Sequence, residues 1–308
     1  MIPAPVLQFF RGFCMGAADI VPGVSGGTVA LILGIYKQLI ANVRAGAHAL
    51  KQFVTGDLKG GLASLIAVEW LFLLPLGGGV LVAFALLRHP MKDLLHDRPE
   101  GIAAVFCGLV AASCVLVWRS ITTRDALRLG VLAAVAVAAF FLLGLKAGTI
   151  DDPSLPLFFA TGAIAICAMI LPGISGSFIM LMFGMYAAVL GGSIGELAVF
   201  LVGATIGLGA FSSLLNWLLA HHEQTVLAAL LGLMVGSIRV LWPWPHGVGV
   251  VSDEAAEVVD GTAMHLPDGG QALGGLALAA VAAALTLVVV RFAEDDDTEP
   301  VLDVVTPG

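Results

Sequence analysis

Apolar residues fall along this chain in long blocks separated by short polar joints. The blocks show neither the strict alternation of half-buried strands nor the narrow stripe of amphipathic helices. Six blocks are continuous: residues 61–87, 101–118, 127–146, 193–219, 225–242 and 271–291. Each has about the 20 apolar residues that a helix needs to cross a bilayer. Two further blocks, 7–40 and 157–190, are each interrupted midway by a Pro-Gly-x-Ser-Gly sequence. Proline removes a helix donor and clashes with the preceding turn, and glycine adopts backbone angles closed to other residues. Each interrupted block therefore predicts two shorter helices meeting at a break, a hairpin that enters and leaves on one side.

The two breaks are copies of one another. Residues 22–36 read PGVSGGTVALILGIY and residues 172–186 read PGISGSFIMLMFGMY, with seven of fifteen positions identical at an offset of 150. Tyr36 and Tyr186, the only two tyrosines, occupy the same place in each copy. The likeness continues downstream. Glu69 aligns with Glu196 at an offset of 127, and Ala104, Gly108, Leu109, Ser113 and Trp118 meet Ala228, Gly232, Leu233, Ser237 and Trp242 at an offset of 124. The chain reads as a duplication: residues 1–150 and 151–292 each hold one hairpin and three spans, and 293–308 form an acidic tail. Three spans is an odd number, so the second copy must sit upside down relative to the first. The expected fold is an all-α polytopic membrane protein with two inverted-topology repeats, an architecture that places sites near the midplane on broken helices.

Composition narrows the function. Hydrophobic residues make up 59% and charged residues 12%, and mean hydropathy is +1.02. Soluble domains carry about 25% charged residues, so an ordinary soluble enzyme is excluded. Lys+Arg number 14 against 22 Asp+Glu, which leaves no basic face for nucleic acid. Cys14, Cys107, Cys114 and Cys167 sit in apolar stretches without a CxxC pair or a Cys/His cluster; they read as small buried hydrophobes, with neither disulfide nor metal site. The start of the chain lacks a signal-peptide layout, because Arg11 interrupts the first apolar run.

The distribution of cations orients the chain. If the first hairpin opens to the cytoplasm, Arg11, Lys37, Arg44, Lys51, Lys59, Arg119, Arg124, Arg128 and Arg291 lie inside, and only Arg88, Lys92, Arg98 and Lys146 lie outside, with Arg239 near the outer end of its span. That asymmetry satisfies the positive-inside rule. It predicts a multi-pass membrane protein with both termini cytoplasmic, and it places the acidic loop 245–270 outside.

The breaks also carry the candidate chemistry. A helix N-terminus bears about half a positive charge and presents free N–H groups to an anion. Ser25, Thr28, Ser175 and Ser177 add hydroxyls, while Gly23, Gly26, Gly27, Gly173 and Gly176 let a ligand approach the backbone; Pro22 and Pro172 open each break. Two such tips entering from opposite sides would converge on one anion, whereas the alternative reading is a pair of packing kinks. Asp19, Glu69 and Glu196 are acids in apolar surroundings. Such groups are costly in a bilayer. They are candidates for carrying protons or sodium, or for capping free backbone amides. Arg11 and Arg239 are candidates for bidentate phosphate contact, against simple snorkelling. Gly203-x-x-x-Gly207 and Gly232-x-x-x-Gly236 read as helix-packing seams, and His221-His222 as part of a short polar loop.

The stretch Gly16-Ala17-Ala18-Asp19-Ile20-Val21-Pro22-Gly23-Val24-Ser25-Gly26-Gly27-Thr28, together with Leu171-Pro172-Gly173-Ile174-Ser175-Gly176-Ser177, resembles the PopT-type undecaprenyl-phosphate translocase family, formerly a bacterial membrane domain of unknown function. Gly236-Ser237-Ile238-Arg239 with Trp242-Pro243 is similar to the family as well, and the resemblance extends to about residue 292. It implies a flippase of the bacterial inner membrane that returns undecaprenyl phosphate to the inner leaflet for cell-envelope synthesis. It implies motif roles for Asp19, Pro22, Gly23, Ser25, Gly26, Gly27 and Thr28 and for Pro172, Gly173, Ser175, Gly176 and Ser177. Arg11, Glu69, Glu196 and Arg239 rest on charge and depth alone. The expected partners are the lipid phosphate, bilayer lipids and, in an open oligomeric state, further copies of the chain; no cofactor is expected beyond a coupling proton or sodium ion. The competing readings are a small-anion transporter or channel, and a membrane-embedded lipid phosphatase.

Overall fold

The computed structural model describes residues 3–20, 24–145, 150, 152–244, 264–267 and 269–296. Pro22 and Gly23, Lys146, most of loop 245–270 and the end of the acidic tail lie outside the described residues. Every element among the described residues is helical: α1 (Ala4–Asp19), α2 (Gly26–Ile32), α3 (Tyr36–Val54), α4 (Leu58–Ile66), α5 (Trp70–Asp97), α6 (Pro99–Ser120), α7 (Ala126–Leu142), α8 (Leu155–Ile170), α9 (Gly176–Met182), α10 (Tyr186–Gly191), α11 (Ile194–Ser237) and α12 (Gly269–Asp296). Stretches within four of them, Trp70–Met91, Pro99–Ser120, Ile194–Ser237 and Gly269–Val288, are long and apolar enough to cross a membrane.

Both interrupted blocks break where the sequence predicts, and then break again. After α2 and after α9 the chain turns through Gly34 (φ 72°) and Gly184 (φ 65°). Gly34 N–H donates to the Leu31 carbonyl and Ile35 N–H to that of Ala30; Gly184 and Met185 repeat the pattern on Leu181 and Met180. This is the Schellman ending, which needs a left-handed residue. It explains why a glycine recurs thirteenth in both copies of the repeat. Left-handed backbone costs a residue with a Cβ about 1–2 kcal/mol. Gly34→Ala and Gly184→Ala are therefore each expected to lower unfolding free energy by about 1 kcal/mol. Thermal unfolding in detergent checks both points; a stabilised variant would refute them.

Three expected boundaries are corrected. Block 61–87 is not one helix: α4 ends at Ile66 and α5 starts at Trp70. The break holds because the Glu69 N–H leaves the helical ladder and donates to Asn42 Oδ1 at 2.8 Å. Blocks 193–219 and 225–242 are joined by a sharp kink rather than a polar loop: two helices, written together as α11, meet at His222 (φ −136°, ψ 36°). His221 is accordingly a helix residue stacked on Trp217 rather than part of a polar loop. The helical part of 225–242 stops at Ser237 and continues as turns. The cysteines are corrected too: Cys14 is exposed, and the other three are half-buried.

Helix pairs recur between the halves. α1 packs on α5 as α8 packs on α11, and α6 packs on α12 as α7 packs on α11. Each pairing runs over glycine. A Cβ on Gly12 would overlap the Leu76 carbonyl, and one on Gly203 would overlap that of Phe159. Likewise Gly108 faces the Ala279 carbonyl and Gly232 that of Leu132. Such seams substitute close backbone contact for the hydrophobic drive that lipid removes. The buried core lies where the pairs meet, with Val24, Tyr36, Ile40, Val110, Leu230 and Met234 each at most 2% exposed.

Candidate functional site

The two breaks come together in that core. α8 ends at Ile170, so its last carbonyls lack helical partners, and proline at position 172 has no N–H to offer. The first break supplies what is missing. Ser25 Oγ donates to the Met169 carbonyl at 3.2 Å, and the Tyr36 hydroxyl donates to that of Ile170 at 3.3 Å. In return, Thr28 Oγ1 accepts the Gly173 N–H at 2.9 Å. Gly27 makes this approach possible, because an ideal Cβ there would lie 2.5 Å from the Ile170 carbonyl oxygen. Ser25 and Thr28 are fully buried and Ser175 is nearly so. In this state the junction is closed.

The donors at the start of α2 are already used. Asp19, the last residue of α1, accepts the Gly26 N–H on Oδ1 at 2.5 Å. Ser25 Oγ accepts the Gly27 N–H at 3.0 Å. A carboxylate thus occupies the first backbone donor of α2. The second break differs. Met169 occupies the place of Asp19 in the repeat, and the Ser175 hydroxyl makes no cap bond but pairs with that of Ser177 at 2.7 Å. Gly173 (φ 88°) presses on α11: a Cβ there would lie 2.9 Å from Met234 Cα and 3.1 Å from Ser237 Oγ. Pro172 and Gly176 are buried at the same junction.

The remaining candidates sit elsewhere. Arg11 lies eight residues before Asp19 on α1, about 12 Å along the axis. Arg239 follows the segment that touches Gly173, but its guanidinium reaches α7, donating to the Phe140 carbonyl at 3.3 Å and lying 4.8 Å from the Phe140 ring centre. Glu69 and Glu196 stand at the starts of α5 and α11. Glu196 forms a capping box with Ser193. Glu69 accepts from Gln38 Nε2 at 2.5 Å and from Asn42 Nδ2 at 3.3 Å, which ties it to the first turns of α3, next to Tyr36. The sequence reading missed Tyr36, Gln38 and Asn42 as site residues. For Tyr36 a signal existed, its recurrence in the repeat; for the other two there was none.

A family model described as undecaprenyl phosphate translocase-like matches residues 15–259. The chain is 42% identical to a polyprenyl-phosphate transporter of Vibrio cholerae over 77% of each chain. It is 30% identical to a polyprenyl-phosphate transporter of Staphylococcus aureus, over 77% of this chain and 86% of the relative. No solved structure matches it significantly.

Proposed function

This chain belongs to the undecaprenyl phosphate translocase-like family, and we propose that it returns undecaprenyl phosphate from the outer to the inner leaflet of the bacterial cytoplasmic membrane. It is a membrane transporter rather than an enzyme, as the family and both relatives are. One observation carries the mechanism: two broken helices lock together through Ser25, Thr28 and Tyr36, with a carboxylate occupying the Gly26 amide of the first tip. A lipid phosphate is a stronger version of that carboxylate and takes its place on the same donors.

The proposed cycle is alternating access between two inverted repeats, with both termini in the cytoplasm. The recurring Schellman turns, glycine seams and crossed helix pairs support the duplication, and the odd number of spans per half supports the inversion. The closed junction is the occluded state. Parting the tips toward the outside admits the phosphate, with Arg11 or Arg239 adding charge. The prenyl tail stays in lipid, so the opening is lateral. Rocking of the repeats closes the outer path and opens the inner one. Asp19 must leave Gly26 for the phosphate to bind, and a proton on the carboxyl removes its hold. Transport is therefore proton-coupled through Asp19, with sodium as the competing ion. Glu69 and Glu196, already engaged at helix starts, hold the scaffold.

Transbilayer movement of labelled undecaprenyl phosphate in proteoliposomes tests this reading. The intact protein is expected to accelerate movement over empty vesicles, and Ser25→Ala/Ser175→Ala to slow it by roughly tenfold to hundredfold, since lost hydrogen bonds near charge cost about 1.5–3 kcal/mol. Movement equal to empty vesicles under both pH and sodium gradients, with flux of inorganic phosphate instead, would establish the small-anion reading. Released inorganic phosphate would establish a phosphatase.

A further inference from the structure

The two halves part company immediately after the repeated tyrosine. From Tyr186 the chain makes the six residues of α10 and enters α11 after two more. From Tyr36 it builds a helical hairpin, α3 and α4, before reaching α5. The second tip is shaped without such a hairpin, so α3–α4 serves something other than the break itself.

Its surface is unlike the rest of the molecule. The protein carries a net charge of −8, yet α3 contains Lys37, Arg44 and Lys51 and no acidic residue, and α4 adds Lys59. Lys37, Ala41, Arg44, His48 and Lys51 are all exposed and follow one another at steps of three and four, so they form a single stripe along α3. Tyr36, Ile40, Asn42 and Ala49 are buried, and Ala47 faces Gly209 of α11. The hairpin's one carboxylate, Asp57, is engaged in capping α4 through the Gly60 N–H at 2.9 Å. Lys37 pairs with Glu223 at 2.7 Å; among the described residues Arg44, Lys51 and Lys59 are paired with no carboxylate. Beside the cations runs a ridge of exposed aliphatics: Leu50, Val54, Leu58, Leu62 and Ile66, between 45% and 80% exposed.

We propose that the α3–α4 hairpin is a docking surface for anionic phospholipids, its Arg44–Lys51–Lys59 cations on the headgroups and its Leu58–Leu62–Ile66 ridge in the acyl chains. Cations in a row demand a negative surface, and aliphatics next to them demand an apolar one; the boundary of an anionic leaflet supplies both together. An acidic protein or nucleic acid would satisfy the first demand and leave the second unmet. Long Lys and Arg stems lie along apolar surface while their charges reach outward, which lets one hairpin use both layers. The hairpin also holds Glu69 through Gln38 and Asn42, and Tyr36 at its root bonds the second tip. Lipid bound here therefore bears on the closed junction. The docking itself stands whether or not the cargo is polyprenyl phosphate.

The test uses the full chain in nanodiscs of phosphatidylcholine, with and without phosphatidylglycerol, and reads amide hydrogen exchange and retained lipid by native mass spectrometry. Phosphatidylglycerol is expected to slow exchange in α3 and α4 several-fold, to leave α7 and α12 unchanged, and to stay bound. High salt and the variant Arg44→Gln/Lys51→Gln/Lys59→Gln are each expected to remove the effect, and Lys51→Arg/Lys59→Arg to keep it. The intact protein alone decides the matter if the triple variant fails to fold. Equal exchange in both lipids would overturn the proposal. So would protection in phosphatidylcholine alone that rises with protein concentration, which would mark the face as a contact between copies of the chain. Slowed exchange with an acidic peptide but not with phosphatidylglycerol would assign the surface to a protein partner.

Discussion

Valine at Gly27 is expected to abolish most transbilayer movement of labelled undecaprenyl phosphate. An ideal Cβ at this position lies 2.5 Å from the Ile170 carbonyl oxygen and 3.1 Å from Ser25 Oγ. The first obstacle is backbone at the end of a helix and cannot rotate away. Forced overpacking of this kind costs about 1–3 kcal/mol. Placed at the junction that must close and reopen in each cycle, that strain corresponds to roughly a tenfold to hundredfold loss of rate. The melting temperature should fall as well, because the tips are held to each other by Ser25, Thr28 and Tyr36 and separate together. Gly130→Ala is the control: nothing lies within 4 Å of its ideal Cβ, and alanine in a helix is neutral or stabilising by about 0.5–1 kcal/mol. Proteoliposome flux and thermal unfolding of both variants check this. Wild-type movement by the Gly27 variant would show that the tips do not meet during transport.

Asp19→Asn is the second large effect. The amide has the shape of the carboxylate and an oxygen for the Gly26 N–H, so the fold should survive. What disappears is the charge that competes with phosphate and the proton that relieves it. Movement by the intact protein is expected to quicken when the side that admits lipid is acidified. In the variant the pH profile should be flat, with the rate lowered roughly tenfold at its former optimum, the size of one charged hydrogen bond. Glu196→Gln should leave the profile intact, because glutamine also completes a capping box. Measuring initial rates across a pH series for both variants separates the acids. A pH-dependent Asp19→Asn protein would remove this residue from the coupling, and a flat Glu196→Gln profile would move the coupling there.

Much of this site was readable as local grammar. Pro-Gly-x-Ser-Gly states where a helix must stop and a new one can begin, and its recurrence 150 positions later marks the two places. Gly34 and Gly184 are equally legible once the Schellman turn is recognised, since only their φ admits it cheaply. The exchange of partners across the junction was not legible. Nothing in the spacing of Ser25, Thr28 or Tyr36 says that Met169, Ile170 and Gly173 are their counterparts. Each needs a remote backbone group left unsatisfied by the other break. Arg239 shows the opposite case. Its charge suggested the phosphate site, while its stem follows the end of α7 to the Phe140 carbonyl and ring.

By itself the sequence determined a helical membrane protein, the recurrence of one motif at an offset of 150, and the two breaks that motif marks. Hydropathy and the conformational limits of proline and glycine act over a few residues and need no partner. The tertiary structure decided the rest: that α4 and α5 part at Glu69, that the two helices of α11 meet at a kink at His222, and that the breaks face each other with Asp19 on the Gly26 amide. In apolar surroundings every helix is equally at home by composition. Which one it lies against is chosen by glycine seams and by unpaired N–H and C=O groups that must find each other, and those choices exist only between segments.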